Sequence, residues 1–561
     1  MLMQQAREEK LWETIRTAPE YAQTRAQIEE LYRATDGEIT VLTFQDFMDF
    51  SRTGRRMEFE AKYFKRRGQL NAAAAMYFIY REQSCLQRLE DVIWAICDEY
   101  TWCLPAHAPW EADFETVPFH IDLFAAETGF AISEIAALLA DVLHPRVLAR
   151  AKRAVQTRIV QSFEENRYHW EDLEMNWSAV CAGSVGACFM HLFPERFEAV
   201  KPRLLHAMDC FLRGFGSDGC CREGMNYWNY GFGFFTYFSD LLCQFTDGAA
   251  DLFADPRACN AAKFQQSAFL NPTTCISFAD SRPTAKATPG LLSYLIKRYP
   301  NEVYPAGSTA EILDKSDHCY RWATFFRSLI WTDFQILAPA ALKNTVYLSD
   351  AQWYISKSGP FALAAKGGHN DEPHNHNDLG HFILADEKGQ LLSDLGSGLY
   401  TQSYFQPETR YDIINNSAAG HSVPIIGGQL QSCGRAHAAK KIRADETGFA
   451  VDIAGGYAID GLKSAIRKWS VTPDCITMQD AFHLDGAPLD VTERFIASLP
   501  PRVEGTTVFL RALCISTDTA PTVEKHEFVD HRGNTQEFYT IDYRIQTNST
   551  FTVRFTRSSA V

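Results

Sequence analysis

The chain of 561 residues is short of positive charge, of paired cysteines and of long apolar runs. Lys and Arg number 54 against 69 Asp and Glu, a net charge of −15, and neither half hides a basic surplus. Sequence-independent nucleic-acid binding relies on clustered cations that release counterions, so the composition argues against it. No stretch approaches 18 uncharged apolar residues, so no membrane partner is expected. The opening residues, MLMQQAREEKLWETIRTAPEY, lack the apolar centre of a secretory signal. The expectation is a cytoplasmic protein, or a periplasmic or secreted one whose leader has been removed. The fifteen cysteines are odd in number, scattered and without a CxxC pair. Cys220 and Cys221 are adjacent, which is poor disulfide geometry, and Cys97, Cys181, Cys188 and Cys243 fall inside apolar helical patterns. Buried free thiols in a reducing compartment are the economical reading. There is no 34- or 40-residue self-similarity, which argues against a regular solenoid.

What is present is a folded chain of more than one domain: 46% hydrophobic and 22% charged residues, at a length that suggests two to four domains. A 3.6-residue period dominates up to about position 340. It predicts helices over 47–64, 71–85, 87–100, 132–142, 146–166, 177–193, 196–212, 228–245 and 291–298, separated by turn signals such as Gly214 to Gly219 and Asn271-Pro272. Beyond 340 the pattern becomes that of strands: 353–356, 361–365, 381–385, 390–394, 507–515, 538–545 and 550–555, with a hairpin turn at Asp386-Glu387-Lys388-Gly389. Residues 423–426 read as an edge strand, because Pro424 cannot donate to a ladder. The expected organisation is multidomain α+β, with a helical domain over 1–338 and an antiparallel β-sandwich over 339–561.

The densest chemistry lies at Gly368-His369-Asn370-Asp371-Glu372-Pro373-His374-Asn375-His376-Asn377-Asp378-Leu379-Gly380-His381, where four of the 16 histidines fall in 13 residues. In an extended segment His374 and His376 share a face. A hairpin would return Asp394, at the end of the next predicted strand, to the neighbourhood of His376, and His421 in Asn415-Asn416-Ser417-Ala418-Ala419-Gly420-His421 is a third candidate ligand. Two imidazoles and a carboxylate suit one divalent ion. Zinc is the first choice and manganese or calcium the next, because such a set selects weakly.

These phrases (HNHNDLGHF, LLSDLGSG and NNSAAGHSV) resemble the C-terminal signature of the heparinase II/III-like polysaccharide lyases. Glu174-Met175-Asn176-Trp177, the run Arg222 to Gly231, Tyr100 to His107 and Ile121 to Thr128 resemble that family's helical-domain segments, the last two its glycosaminoglycan-active branches. The resemblance spans roughly residues 85–430. It implies an (α/α) toroid joined to antiparallel β-sheets, with the active cleft between them. By motif, Asn176 resembles the residue that neutralises the substrate carboxylate, Tyr230 the tyrosine acid and base, and His374 the histidine of the sandwich. His376, Asp394 and His421 match the family's metal-binding trio, whose ion is read as structural because it would pin the strand presenting His374. Some relatives carry His where this chain has Asn176.

The implied activity is β-elimination on uronate-containing glycosaminoglycans of hyaluronan, chondroitin or heparan type, or on their oligosaccharides, giving 4,5-unsaturated ends. The alternatives are the same chemistry on alginate or another polyuronate, and a glycoside hydrolase, for which Glu223 and Asp218 are the nearest carboxylates. A non-catalytic carbohydrate-binding protein would need no such set. Trp102, Trp170 and Trp228 are candidate platforms for sugar rings, with core packing equally expected. His107, His120 and His169 are pocket candidates, Glu223 a substrate contact, and Arg410 a partner for a carboxylate or sulfate. The partner implied is an anionic uronate chain, and a homodimer is compatible with the sequence.

Overall fold

In the computed structural model, which describes residues 2–35, 37–315 and 317–558, the chain passes from helix to sheet between Trp331 and Thr345. The helical part is a toroid of packed helices. Leu123–Leu138 lies against Asn176–Leu192, which packs in turn on Phe197–Gly214 and Gly233–Phe245. Local chemistry sets the starts: the Asp122 carboxylate accepts from the Ala125 N–H at 2.7 Å and so caps Leu123–Leu138. No helix among the described residues is long and apolar enough to cross a membrane. All fifteen cysteines are free thiols.

Five antiparallel strands form a middle layer in the spatial order Thr345–Leu348, Trp353–Ser356, Ala362–Lys366, Phe382–Asp386, Gly389–Leu392. Alternate side chains divide between two cores. Trp353, Ile355, Ala364, Ile383 and Ala385 join the helical core, while Tyr354, Leu363, Ala365, Phe382 and Leu384 join the core of the sandwich. Burial on both faces is why these strands read as short continuous apolar runs. Beyond them lie an eight-stranded sheet and a four-stranded sheet, both antiparallel and made of half-buried strands such as Ile476–Leu484. The middle sheet leaves loops from both parts of the chain facing each other across one seam.

Several expected elements shift. The helix expected over 47–64 is interrupted at Gly54, which adopts φ 70° and terminates Phe44–Thr53; a new helix, Met57–Tyr80, then runs through the boundary expected at 71. The strand expected over 507–515 is a hairpin, Thr507–Leu510 and Leu513–Ser516. Helices Leu2–Arg7, Glu9–Thr17, Ala22–Thr35, Pro256–Ala268 and Trp322–Trp331 were not anticipated. The edge strand is there: Pro424–Ile426 closes the four-stranded sheet, pairing with Asp490–Ala497.

Candidate active site

Tyr230 sits in a π-helical turn, Trp228–Phe232, that the toroid presses against the first turn of Asn176–Leu192. Gly231 makes this approach feasible, since a Cβ there would lie 3.0 Å from the Asn176 Cβ. The buried Asn176 amide oxygen has no hydrogen-bond partner among the described residues. The Tyr230 hydroxyl donates to Glu127 Oε1 at 2.5 Å, and the Arg321 guanidinium covers the tyrosine ring with Cζ 4.0 Å from its centroid. Arg321 also approaches Glu127 Oε2 at 3.6 Å. Burial pushes the Glu127 carboxyl up to about 7 against the pull of Arg321 and of the tyrosine hydrogen bond. Burial, followed by the Glu127 charge, holds the Tyr230 phenol well above its ordinary value, so the resting group is a phenol.

From the sheet side, His374 adopts φ 54°, a left-handed conformation uncommon for a residue with a side chain. The segment expected to be extended therefore turns here. The turn places His374 and His376 on the two oxygens of one buried carboxylate: His374 Nδ1 is 2.6 Å from Asp280 Oδ2, and His376 Nε2 is 3.2 Å from Asp280 Oδ1. Tyr400 donates to Asp280 Oδ2 at 2.9 Å and Tyr404 to Oδ1 at 2.5 Å. Burial alone would raise the Asp280 carboxyl, but the hydrogen bonds from the two histidines outweigh it and hold the group well below the carboxylate range. An ionised Asp280 fixes the proton on His374 Nδ1 and leaves a lone pair on Nε2. That nitrogen faces Glu223 Oε1 at 3.4 Å, while Tyr227 packs on the imidazole at 4.3 Å between centroids. Glu223, Tyr227 and Tyr230 belong to one short segment, so the helical and sheet contributions meet here.

Glu223 is buried, its Oε1 lacks a hydrogen bond, and burial lifts its carboxyl to about 7 in spite of His374. A folded-state value above the unfolded 4.5 means that its stabilising contribution is complete below that value and is lost as pH rises through about 7. Glu223→Gln removes this liability. Its melting temperature should gain on the wild type as pH rises from about 5 to about 8, by up to about 3 kcal/mol of stability. A pH-independent difference in melting would contradict the assignment.

His376, Asp394 and His421 converge, with one ligand atom from each lying within 4.8 Å of the others. His421 Nδ1 donates to the Ser417 carbonyl at 2.8 Å, and His376 Nε2 is taken by Asp280, so both inner nitrogens present lone pairs. These nitrogens lie 3.1 Å apart, and Asp394 Oδ2 is 3.5 Å from His421 Nε2 and lacks a hydrogen bond. Burial pushes the His421 imidazole down to about 4 despite Asp394. Two inward-facing imidazole nitrogens and a buried carboxylate oxygen form a donor set that suits a divalent metal. His381, which accepts from the Ser422 N–H through Nδ1, directs Nε2 to Asp394 at 3.2 Å and supports the trio from behind. Asp394→Ala should lower the metal content measured by elemental analysis and also lower the melting temperature; unchanged content would refute the site.

Other expected site residues lie elsewhere. Trp102, Trp170 and Trp228 are sealed in the core, with their indole N–H groups on the carbonyls of Ile96, Ile121 and Ala261, so none offers a face to a sugar. Arg410 directs its guanidinium to the carbonyls of Tyr404 and Asn375 at 2.8 and 2.9 Å, bracing the histidine loop rather than meeting a carboxylate. His107 is held by the capping residue Asp122 at 2.8 Å and packs on Trp177 at 5.0 Å. His169 packs against the same indole at 5.7 Å, and His120 packs on Tyr168. These histidines flank the start of the Asn176 helix. Asp218 commits both carboxylate oxygens to backbone N–H groups, those of Cys220, Asp350 and Ala351, and so braces a loop. Asp280, Glu127, Arg321, Tyr227 and Tyr400 were not singled out in the sequence.

No family model and no curated protein matches the chain. Solved structures do match. Heparinase III aligns with a TM-score of 0.63 at 14% identity, covering 98% of this chain and 92% of that one. Heparan sulfate lyase HepC from Pedobacter heparinus aligns at 0.60 and 11%, covering 98% and 90%. The chondroitin AC lyase of Streptomyces coelicolor A3, in complex with chondroitin sulphate, aligns at 0.56 and 10%, covering 100% and 83%. The chain has the fold of the heparinase-like polysaccharide lyases, an (α/α) toroid followed by an antiparallel β-sandwich.

Proposed function

We propose that the chain is a polysaccharide lyase that cleaves uronate-containing glycosaminoglycans, or oligosaccharides derived from them, by β-elimination. The observation that carries this reading is the buried Asp280–His374 pair, which presents a basic imidazole nitrogen on the sheet side of a seam whose helical side holds Tyr230 and Asn176. The elimination removes the proton on C5, beside the carboxylate; its electron pair forms the C4–C5 double bond, the C4–O4 bond breaks and O4 takes a proton. The C5 proton is weakly acidic because the carboxylate already carries charge. The Asn176 amide can donate to the carboxylate as it becomes enolate-like.

His374 Nε2 then takes the C5 proton, with Asp280 stabilising the resulting imidazolium and Glu223 beside it. Tyr230, a phenol at rest, delivers its proton to O4, and the Arg321 cation over its ring stabilises the phenolate that forms. On the opposite C5 epimer, where the proton and O4 share a face, Tyr230 would act alone, first passing its own proton to Glu127. A divalent ion, zinc by preference, held by His376, Asp394 and His421 would supply a structural cross-link behind the histidine loop. A panel of uronate polymers, including hyaluronan, chondroitin, heparan sulfate and alginate, should yield ultraviolet-absorbing 4,5-unsaturated ends from at least one glycosaminoglycan. Saturated ends would indicate hydrolysis, and no product from any of them would overturn the reading.

A further inference from the structure

Beside the proposed catalytic groups lies a cluster of basic side chains that the elimination does not use. Arg282 follows Asp280 by two residues, and its guanidinium makes no hydrogen bond or ion pair among the described residues. The chain 530–534 of the sandwich is docked next to it: Asp530 bridges to Gly398, and the Leu399 N–H donates to the Val529 carbonyl at 3.2 Å. This docking sets the His531 ring edge-on against Tyr400 at 4.3 Å, one ring contact away from His374. His531 Nδ1 is buried and has no hydrogen-bond partner, Arg532 is exposed beside it, and His318 of the helical part completes the group at 6.3 Å between ring centroids.

The acidic groups around Arg282 are Asp314, Asp317 and Asp530. Asp317 accepts from Arg321 and the Cys319 N–H, and Asp530 from the backbone N–H groups of Arg532 and Asn534 and from Gln536. Burial, then the neighbouring Arg532, pushes the Arg282 guanidinium below its ordinary value, the signature of cations brought together without enough counter-charge. The cluster therefore offers a guanidinium that no carboxylate holds by a hydrogen bond and a buried imidazole nitrogen without a partner.

We propose that Arg282, Arg532 and His531 form a subsite for a second anionic group, a sulfate ester or a carboxylate, on the sugar next to the uronate being cleaved. The proposal rests on the lyase reading and adds to it a preference among substrates. A guanidinium fork meets either oxyanion with two parallel hydrogen bonds, and the His531 nitrogen can supply a third contact. Both layers of the fold contribute, Arg282 from the helical part and His531 and Arg532 from the sandwich. The subsite thus exists only where the catalytic seam is closed.

The test compares oligosaccharides of unsulfated chondroitin, chondroitin sulfate and a polyuronate, whose neighbouring sugars carry no charge, a sulfate and a carboxylate. The expected result is a preference of about tenfold in kcat/KM for a charged neighbour, falling toward unity in Arg282→Gln and in the exposed Arg532→Gln. Whichever charged substrate loses its advantage identifies the oxyanion. Calorimetric binding of the same oligosaccharides to Tyr230→Phe, with and without Arg532→Gln, reads the subsite without turnover. An equal affinity for charged and uncharged neighbours, or a preference that survives both arginine substitutions, would overturn the proposal. If no uronate yields unsaturated product while the binding preference and its loss in Arg532→Gln persist, the subsite stands and the lyase reading fails.

Discussion

On the epimer for which His374 is the base, replacing Asp280 by Asn is expected to lower kcat by about 10³-fold or more while the protein remains folded, a loss of the size seen when the carboxylate behind a catalytic histidine becomes an amide. The carboxylate is buried and holds His374 Nδ1 at 2.6 Å. An amide in its place can present an N–H to the imidazole and favour the other tautomer, which puts the proton on Nε2, where the C5 proton must arrive. The imidazolium would also lose its buried counter-charge. Because Asp280 Oδ1 holds His376 as well, metal content has to be measured in parallel. A loss of rate at constant metal content assigns the effect to His374. A rate within a few-fold of the wild type on that epimer would remove Asp280 from the mechanism.

Tyr230→Phe should be at least as severe, with elimination falling by about 10³-fold or to background, since it removes the only acid expected to reach O4. Substrate binding should persist, because the ring remains under Arg321 and only the hydroxyl bonded to Glu127 is lost. Losing that bond also frees a buried carboxyl already raised to about 7, so a modest change in stability is expected alongside the kinetic effect.

The architecture was legible because the hydrophobic period changes once, from 3.6 to 2, and because the middle strands are buried on both faces. Trp353–Ser356 could be placed in sequence for that reason. The histidines could be recognised as a site because they are dense. Asp280 could not: it lies in an ordinary loop, Ser277-Phe278-Ala279-Asp280-Ser281, and acquires its role only when the fold brings His374 and His376 to it across more than ninety residues. Glu127 and Arg321 were hidden in the same way, since nothing local marks either until the fold sets both against Tyr230. The tryptophans failed in the other direction. An indole in an aromatic-rich segment reads alike as a sugar platform or as core, and only the carbonyls that take its N–H decide between them.

Net charge misleads in a related manner. At −15 the chain exerts no long-range pull on a polyanion, yet the seam gathers Asn176, His374, Arg321 and the Arg282 cluster where an anionic sugar would lie. Recognition of this kind is short-range, and its association rate should depend weakly on salt.

The most direct measurement follows unsaturated product by ultraviolet absorption from two uronate substrates that differ only at C5, using His374→Ala and Tyr230→Phe. With base and acid drawn from opposite layers, His374→Ala should spare one epimer markedly more than the other, and Tyr230→Phe should abolish both. Equal losses on the two epimers in His374→Ala, or substantial turnover in Tyr230→Phe, would contradict it.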